Sequence, residues 1–274
     1  MKKLSFLLIL SVVVLYARQG YSQLPANPNG KFVDVNGVKI YYEEHGQGEP
    51  LFLLHGFGGT ADDWKPFVQE YSKNYRVIVW DMRGHGRSSA ADTSVVFKHE
   101  TAARDLLAMM DNLKIDKAKA IGHSSGGIVI LYAASMQADR FEAIIPVSAQ
   151  LYFGKQVRNF IEQNGKPRLP NPEFDRLHGK EKGSLLSRQF YNFRKVYGDP
   201  SLTPDQVAKI KARTLIVHGD NDFVPVSQAW EMFQGISKAH LWISPNTGHA
   251  PHYGQGNDSD FMRRTLEFLK GEKW

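Results

Sequence analysis

Cysteine is absent from the 274 residues. A disulfide framework, a thiol nucleophile and a cysteine-ligated metal site are therefore all excluded, and the fold must be held by its packed core. The same absence rules out lipid attachment at the junction of a leader peptide. A large excess of one charge is lacking too: the formal net charge is +6, and Lys2, Lys3 and Arg18 contribute three of those positive charges from the N-terminal segment alone. With no basic tail and no nucleic-acid module, no nucleic-acid partner is expected. Internal repeats and low-complexity tracts are missing as well. The longest apolar run, Leu4 to Tyr16, is too short to span a bilayer comfortably.

That run has the build of an export signal. Lys2 and Lys3 precede it, and Gly20-Tyr21-Ser22 places small residues three and one before a cut ahead of Gln23. Residues 1–22 are accordingly read as a cleaved signal peptide, against the alternative of an uncleaved anchor. The remaining chain, 23–274, is expected to form one domain with its own core, secreted or periplasmic and without stable membrane insertion. Nothing in the sequence bears on its oligomeric state.

Along the chain, Phe32-Val33-Asp34-Val35 and Val38-Lys39-Ile40-Tyr41-Tyr42 flank Asn36-Gly37, which predicts a β-hairpin. Short continuous apolar runs follow at Leu51–Leu54, Val77–Trp80, Ala143–Val147, Thr214–Val217 and Leu241–Ile243. They alternate with helical patterns near 63–71, 226–233 and 260–269, the signature of buried parallel strands with crossover helices. Ala103, Leu106, Leu107, Met110 and Leu113 recur at helical spacing. From about Leu151 to Ala208 the strand rhythm stops. Five prolines, many aromatics and a surplus of ten Lys or Arg over four Asp or Glu between Lys155 and Lys195 mark this stretch, which is read as a lid insertion rather than a loop. The fold class is α/β: a mostly parallel sheet opened by an antiparallel hairpin, helices on both faces, and the lid.

The chemistry concentrates at Gly122-His123-Ser124-Ser125-Gly126-Gly127, between a strand-like run and the apolar run Ile128–Ala134. Gly122-x-Ser124-x-Gly126 fits a nucleophile elbow, in which flanking glycines let backbones pass closely while the serine hydroxyl points outward. Ser124 is favoured over Ser125, because the residue two before Ser125 is the bulky His123. This elbow resembles that of the α/β-hydrolase family, and the resemblance extends to other segments. Gly219-Asp220-Asn221-Asp222 resembles the family's acid turn and implies Asp222 as the triad carboxylate, with Asp220 shaping the turn. Gly248-His249 after the final strand implies His249 as the base. His55-Gly56-Phe57 resembles the oxyanion turn, implying the backbone N–H groups of Phe57 and Ser125 as donors and a structural role for His55. The chain order Ser124, Asp222, His249 is also that of the family. His252 is read as a supporting or surface histidine, since no companion ligands are spaced for a metal.

A rival reading rests on Gly56-x-Gly58-x-x-Ala61 with Asp81 at the next strand end, which satisfies a dinucleotide fingerprint. It leaves the serine elbow unexplained, and Asp81–Ser88 resembles a further α/β-hydrolase turn. The resemblance thus implies a serine hydrolase acting on a small-molecule carboxylic ester, lactone or thioester, with no cofactor and no metal. A serine at 124 argues against the dehalogenase and epoxide-hydrolase branches, which use aspartate. Cofactor-free perhydrolase or peroxidase chemistry and ligand binding with little turnover remain alternatives. Tyr152, Phe153 and Phe190, with Phe160, Phe174, Tyr191 and Phe193, are candidates for the substrate pocket or for the lid's own core.

Overall fold

A computed structural model describes residues 27–90, 94–167, 169–254 and 257–272. The expected signal peptide, residues 1–22, lies outside the described residues. The hairpin forms where Asn-Gly predicts it: β1 (Gly30–Val35) and β2 (Val38–His45) pair antiparallel, Val35 opposite Val38. Asn36 and Gly37 take φ of 45° and 75°, the left-handed pair that lets a two-residue turn follow strand twist.

Six more strands complete the sheet: β3 (Glu49–Leu54), β4 (Tyr75–Trp80), β5 (Ala118–His123), β6 (Phe141–Val147), β7 (Arg213–Gly219) and β8 (Ala239–Ser244). Their spatial order is β1-β2-β4-β3-β5-β6-β7-β8. β2 runs antiparallel to β4, and every pairing from β4 through β8 is parallel. The chain steps from β3 to β4 on one side and then crosses to β5 on the other. This reversal opens a crevice beyond the carboxyl ends of β3 and β5, where ligands of open α/β sheets bind.

Continuous apolar strands are explained by burial on both faces. Phe52 and Leu54 face one core layer with Ile78, Trp80, Ala120 and Ile144, while Leu51 and Leu53 face the other with Val77, Val79, Ile121 and Ile145. α1 (Lys65–Tyr71) and α9 (Asn257–Lys270) cover the second layer through Phe67, Tyr71, Phe261 and Phe268. α2 (His99–Asn112) and α3 (Ser125–Met136) cover the first. Ser125 through Ser135 are all buried, so a helix without a polar face is what this central position requires.

The insertion leaves and returns at one point. Leu202 N–H donates to Leu151 O at 3.0 Å, and Tyr152 bridges Ser201. The two ends of the insertion therefore meet at Leu151–Tyr152 and Ser201–Leu202, inside the expected span of about 151–208. The lid carries α4 (Lys155–Asn164), α5 (Pro172–His178) and α6 (Lys180–Asn192). α7 (Pro204–Ala208) belongs to the body, where Val207 and Ile210 join the main core near α8 (Val226–Gly235). Polar contacts fasten the lid down: His178 accepts from Gly86 N–H at 2.8 Å and donates to Gly58 O at 3.0 Å, and Lys182 donates to Gly86 O and Ser88 O.

Because α3 is sealed on all sides, truncating Ile130, which is fully buried, is predicted to cost about 2–5 kcal/mol. Urea unfolding of Ile130→Ala checks this; a loss under about 1 kcal/mol would contradict the packing described.

Candidate active site

β5 ends at His123 and α3 starts at Ser125, leaving Ser124 alone to make the turn at φ 52° and ψ −117°. This is a strained conformation for a residue with a side chain. Two glycines make it sterically attainable. A Cβ on Gly122 would stand 2.4 Å from the Gly126 carbonyl, and one on Gly126 would stand 2.4 Å from Leu54 O. Strand β5, the first turn of α3 and the end of β3 thus meet backbone to backbone, and the Ser124 side chain is turned outward, half-buried.

The other two expected residues arrive from adjoining strand ends. Asp222, beyond β7, has a fully buried side chain, and His249 lies beyond β8. Ser124 Oγ is 2.9 Å from His249 Nε2. His249 Nδ1 is 2.9 and 3.0 Å from the two Asp222 oxygens. A carboxylate accepts, so Nδ1 carries the proton and Nε2 is left to accept from the Ser124 hydroxyl. Burial pushes the Asp222 carboxyl up, but the adjacent His249, its hydrogen bond and the Val224 N–H outweigh this and hold it below the ordinary carboxylate range.

Asp220 does the structural work expected of it, accepting from Thr247 N–H at 3.1 Å and tying the acid loop to the histidine loop. His55 is also structural: its Nε2 accepts from Met82 N–H at 2.9 Å, so its Nδ1–H donates to Gly56 O at 2.7 Å. His252 is buried rather than at the surface, stacked on Trp64 and in contact with the His123 ring. The N–H groups of Phe57 and Ser125 have no intramolecular acceptor among the described residues, and Ser125 stands in a first helical turn where such donors are free.

The dinucleotide reading fails on Asp81. Its carboxylate is consumed internally by Ala61 N–H at 2.7 Å and by the Arg87 main chain and guanidinium, leaving nothing for a ribose. Among the described residues no group of three or more His, Asp or Glu is placed to hold a metal ion.

The family model described as "alpha/beta hydrolase fold" matches residues 49–177. The chain is 26% identical to a 2-hydroxy-6-oxo-6-(2'-aminophenyl)hexa-2,4-dienoic acid hydrolase of Metapseudomonas resinovorans, over 87% of this chain and 90% of that one. It is 27% identical to human serine hydrolase BPHL, over 87% of this chain and 85% of that one. An enol-lactonase from Burkholderia xenovorans LB400 shares the fold with a TM-score of 0.72 at 22% identity, covering 88% of this chain and 100% of the enol-lactonase. The chain is a hydrolase of the α/β-hydrolase fold.

Around the site of this hydrolase runs an aromatic shell. The Phe57 ring contacts His85, Phe97, Phe190 and Phe193, and Phe193 continues to Phe153 and His99. Phe153 and Phe190 therefore stand in the shell, whereas Tyr152 does not: it is 43% exposed and donates to Glu231. On the other side Phe223 lies against His249 and stacks on Phe160 at 4.0 Å, beside an open groove of about 600 Å³ along α4. Reading the sequence misses Phe223, although its place directly after Asp222 is a usable signal. It also misses Phe97 and His99, for which no local motif exists.

Histidine dominates the electrostatics. Burial drives His123 down to about 3 and His178 to about 4, and holds His55, His85 and His252 below their ordinary range. His123 Nε2–H donates to His249 O at 2.8 Å, bracing the His249 loop with a neutral ring. Each of these rings is neutral when folded and titrates near 6.5 when unfolded. Their stabilising effect is full above about pH 6.5 and is lost as pH falls through the folded values. Asp63 opposes them: burial raises it to about 7, and Glu173 is also raised, so those two favour the fold more as pH falls. Five histidines outweigh two carboxyls, and Tm is predicted to be lower at pH 5 than at pH 7.5 by at least about 5 °C. A calorimetric scan at both pH values checks this; a flat or rising Tm on acidification would contradict it.

Proposed function

We propose that this hydrolase opens a carboxylic ester, lactone or thioester through an acyl-enzyme on Ser124. The observation that carries the reading is the unbroken chain Ser124 Oγ, His249 Nε2, His249 Nδ1, Asp222 at 2.9 to 3.0 Å, set on an outward turn beside two free N–H groups.

In the first half-reaction Ser124 Oγ attacks the carbonyl carbon while His249 Nε2 takes its proton. Asp222 holds the tautomer and stabilises the imidazolium. Charge developing on the carbonyl oxygen falls to the N–H groups of Phe57 and Ser125. The tetrahedral species collapses, and His249 gives its proton to the departing alkoxide or thiolate. Water then repeats the sequence: His249 takes a proton as the water oxygen adds to the acyl carbon, and Ser124 leaves with that proton restored. Perhydrolysis follows the same steps with peroxide in place of water.

The phenylalanines beside Phe57 support an apolar or aryl acyl group. A second reading, cleavage of a 2-hydroxy-6-oxo-dienoic acid, draws on the name of the Metapseudomonas resinovorans relative and on the same aryl shell.

A panel of p-nitrophenyl esters, aryl lactones and a 6-aryl-6-oxo-dienoate, run with the wild-type chain, distinguishes these substrates. Stopped-flow release of p-nitrophenol is predicted to show a burst of one equivalent per chain. Asp222→Asn is predicted to lower kcat by roughly two to four orders of magnitude and Asp220→Asn by less than roughly tenfold. Equal losses in the two variants would overturn the assignment of the acid, and no turnover of any carbonyl substrate would favour ligand binding.

A further inference from the structure

Ser125 has a histidine and an aspartate of its own. Its Oγ lies 2.9 Å from His99 Nε2, and His99 Nδ1 lies 2.8 Å from Asp199 Oδ1. Asp199 also accepts the main-chain N–H of His99 at 3.0 Å and, through its other oxygen, that of Glu100 at 3.1 Å. It thereby caps α2, whose own preceding residue, Lys98, supplies no side-chain cap. The His99 side chain is fully buried, and Ser125 and Asp199 are nearly so. Phe97, Phe153 and Phe193 close around the imidazole at ring separations of 5.2, 5.8 and 5.4 Å.

This is not a second nucleophile. Ser125 lies within the first turn of α3 rather than on a strained outward corner, and its histidine is sealed among phenylalanines. The direction of the bonds says what it does. Asp199 accepts from Nδ1–H, so in the neutral ring Nε2 presents a lone pair and the Ser125 hydroxyl donates to it. That bond fixes the Ser125 side chain and with it the first peptide of α3, whose N–H is one of the two free donors beside Ser124.

We propose that His99 and Asp199 are positioning residues for the oxyanion hole, acting through the Ser125 hydroxyl to aim the Ser125 N–H. The inference rests on the acyl-enzyme reading given above. The strut runs from the exit of the lid, next to the Ser201 bridge with Tyr152, through the start of α2 to the start of α3. Donors in such a hole act only when they are held near 2.7–3.1 Å from the developing oxyanion. A loosened peptide therefore lowers kcat and leaves ground-state binding nearly intact.

The test uses the full chain and the p-nitrophenyl ester it turns over best. It measures kcat, KM, Tm and inhibition by a trifluoromethyl ketone, which forms a tetrahedral oxyanion adduct on serine. Ser125→Ala keeps the N–H and loses the tether. It is expected to lower kcat about tenfold with KM within about twofold, and to weaken the trifluoromethyl ketone by the same factor. His99→Phe is expected to match it, and His99→Gln, whose amide oxygen can still accept from Ser125, to recover part of the loss. In the double variant, His99→Phe should add less than about twofold to Ser125→Ala, because both break one strut. Unchanged kcat in Ser125→Ala, multiplicative losses in the double variant, or losses that follow Tm alone would overturn the inference. If the wild-type chain gives neither turnover nor a ketone adduct, the acyl-enzyme reading itself falls; if it gives both while the variants behave as wild type, only the strut falls.

Discussion

Three main-chain segments touch without side chains between them where Gly122, Gly126 and the end of β3 meet, and this contact holds Ser124 in a conformation that it would not adopt alone. Such backbone strain costs on the order of 1–3 kcal/mol. It persists because β5 sits mid-sheet and α3 is buried along nearly its whole length, so relaxing the turn would pull apart buried core packing. The geometry of the site follows from that corner. The serine faces the crevice opened by the reversal of strand order, and the loops beyond β7 and β8 deliver Asp222 and His249 to the same edge.

Electrostatics sharpen the arrangement. A charged Asp222 inside the protein is sustained by the His249 ring, the nearby His218 ring and the Val224 N–H, while burial holds His123 and His55 below the ordinary histidine range. His123 and His55 therefore act as fixed hydrogen-bonding struts and not as competing bases. The lid adds an aromatic lining and is fastened to the loops beyond β3 and β4 by His178 and Lys182, so it packs as part of the site wall.

Much of this was legible from local patterns. Asn36-Gly37 marks its own turn, the apolar runs mark strands buried on both faces, and Ser124, Asp222 and His249 each follow a strand within a short motif. What could not be read depends on distance. Asp199 and His99 are separated by 100 residues, and no spacing announces that they will meet at Ser125. The meeting of the insertion's two ends depends on the long-range pairing of Leu202 with Leu151, which composition does not reveal. Tyr152 and Phe153 are neighbours of similar character, and only the path of the chain sends one to Glu231 and the other into the aromatic shell. His252 could be read as either a supporting or a surface residue, because the Trp64, Phe67 and Phe261 rings that surround it come from other parts of the chain.

The most direct measurement is covalent labelling of the wild-type chain with an alkyl fluorophosphonate, followed by digestion and tandem mass spectrometry. A single phosphonyl adduct on Ser124, absent from Ser124→Ala and greatly slowed in His249→Ala, is the predicted result. An adduct on Ser125, or none on a folded wild-type chain, would contradict the account.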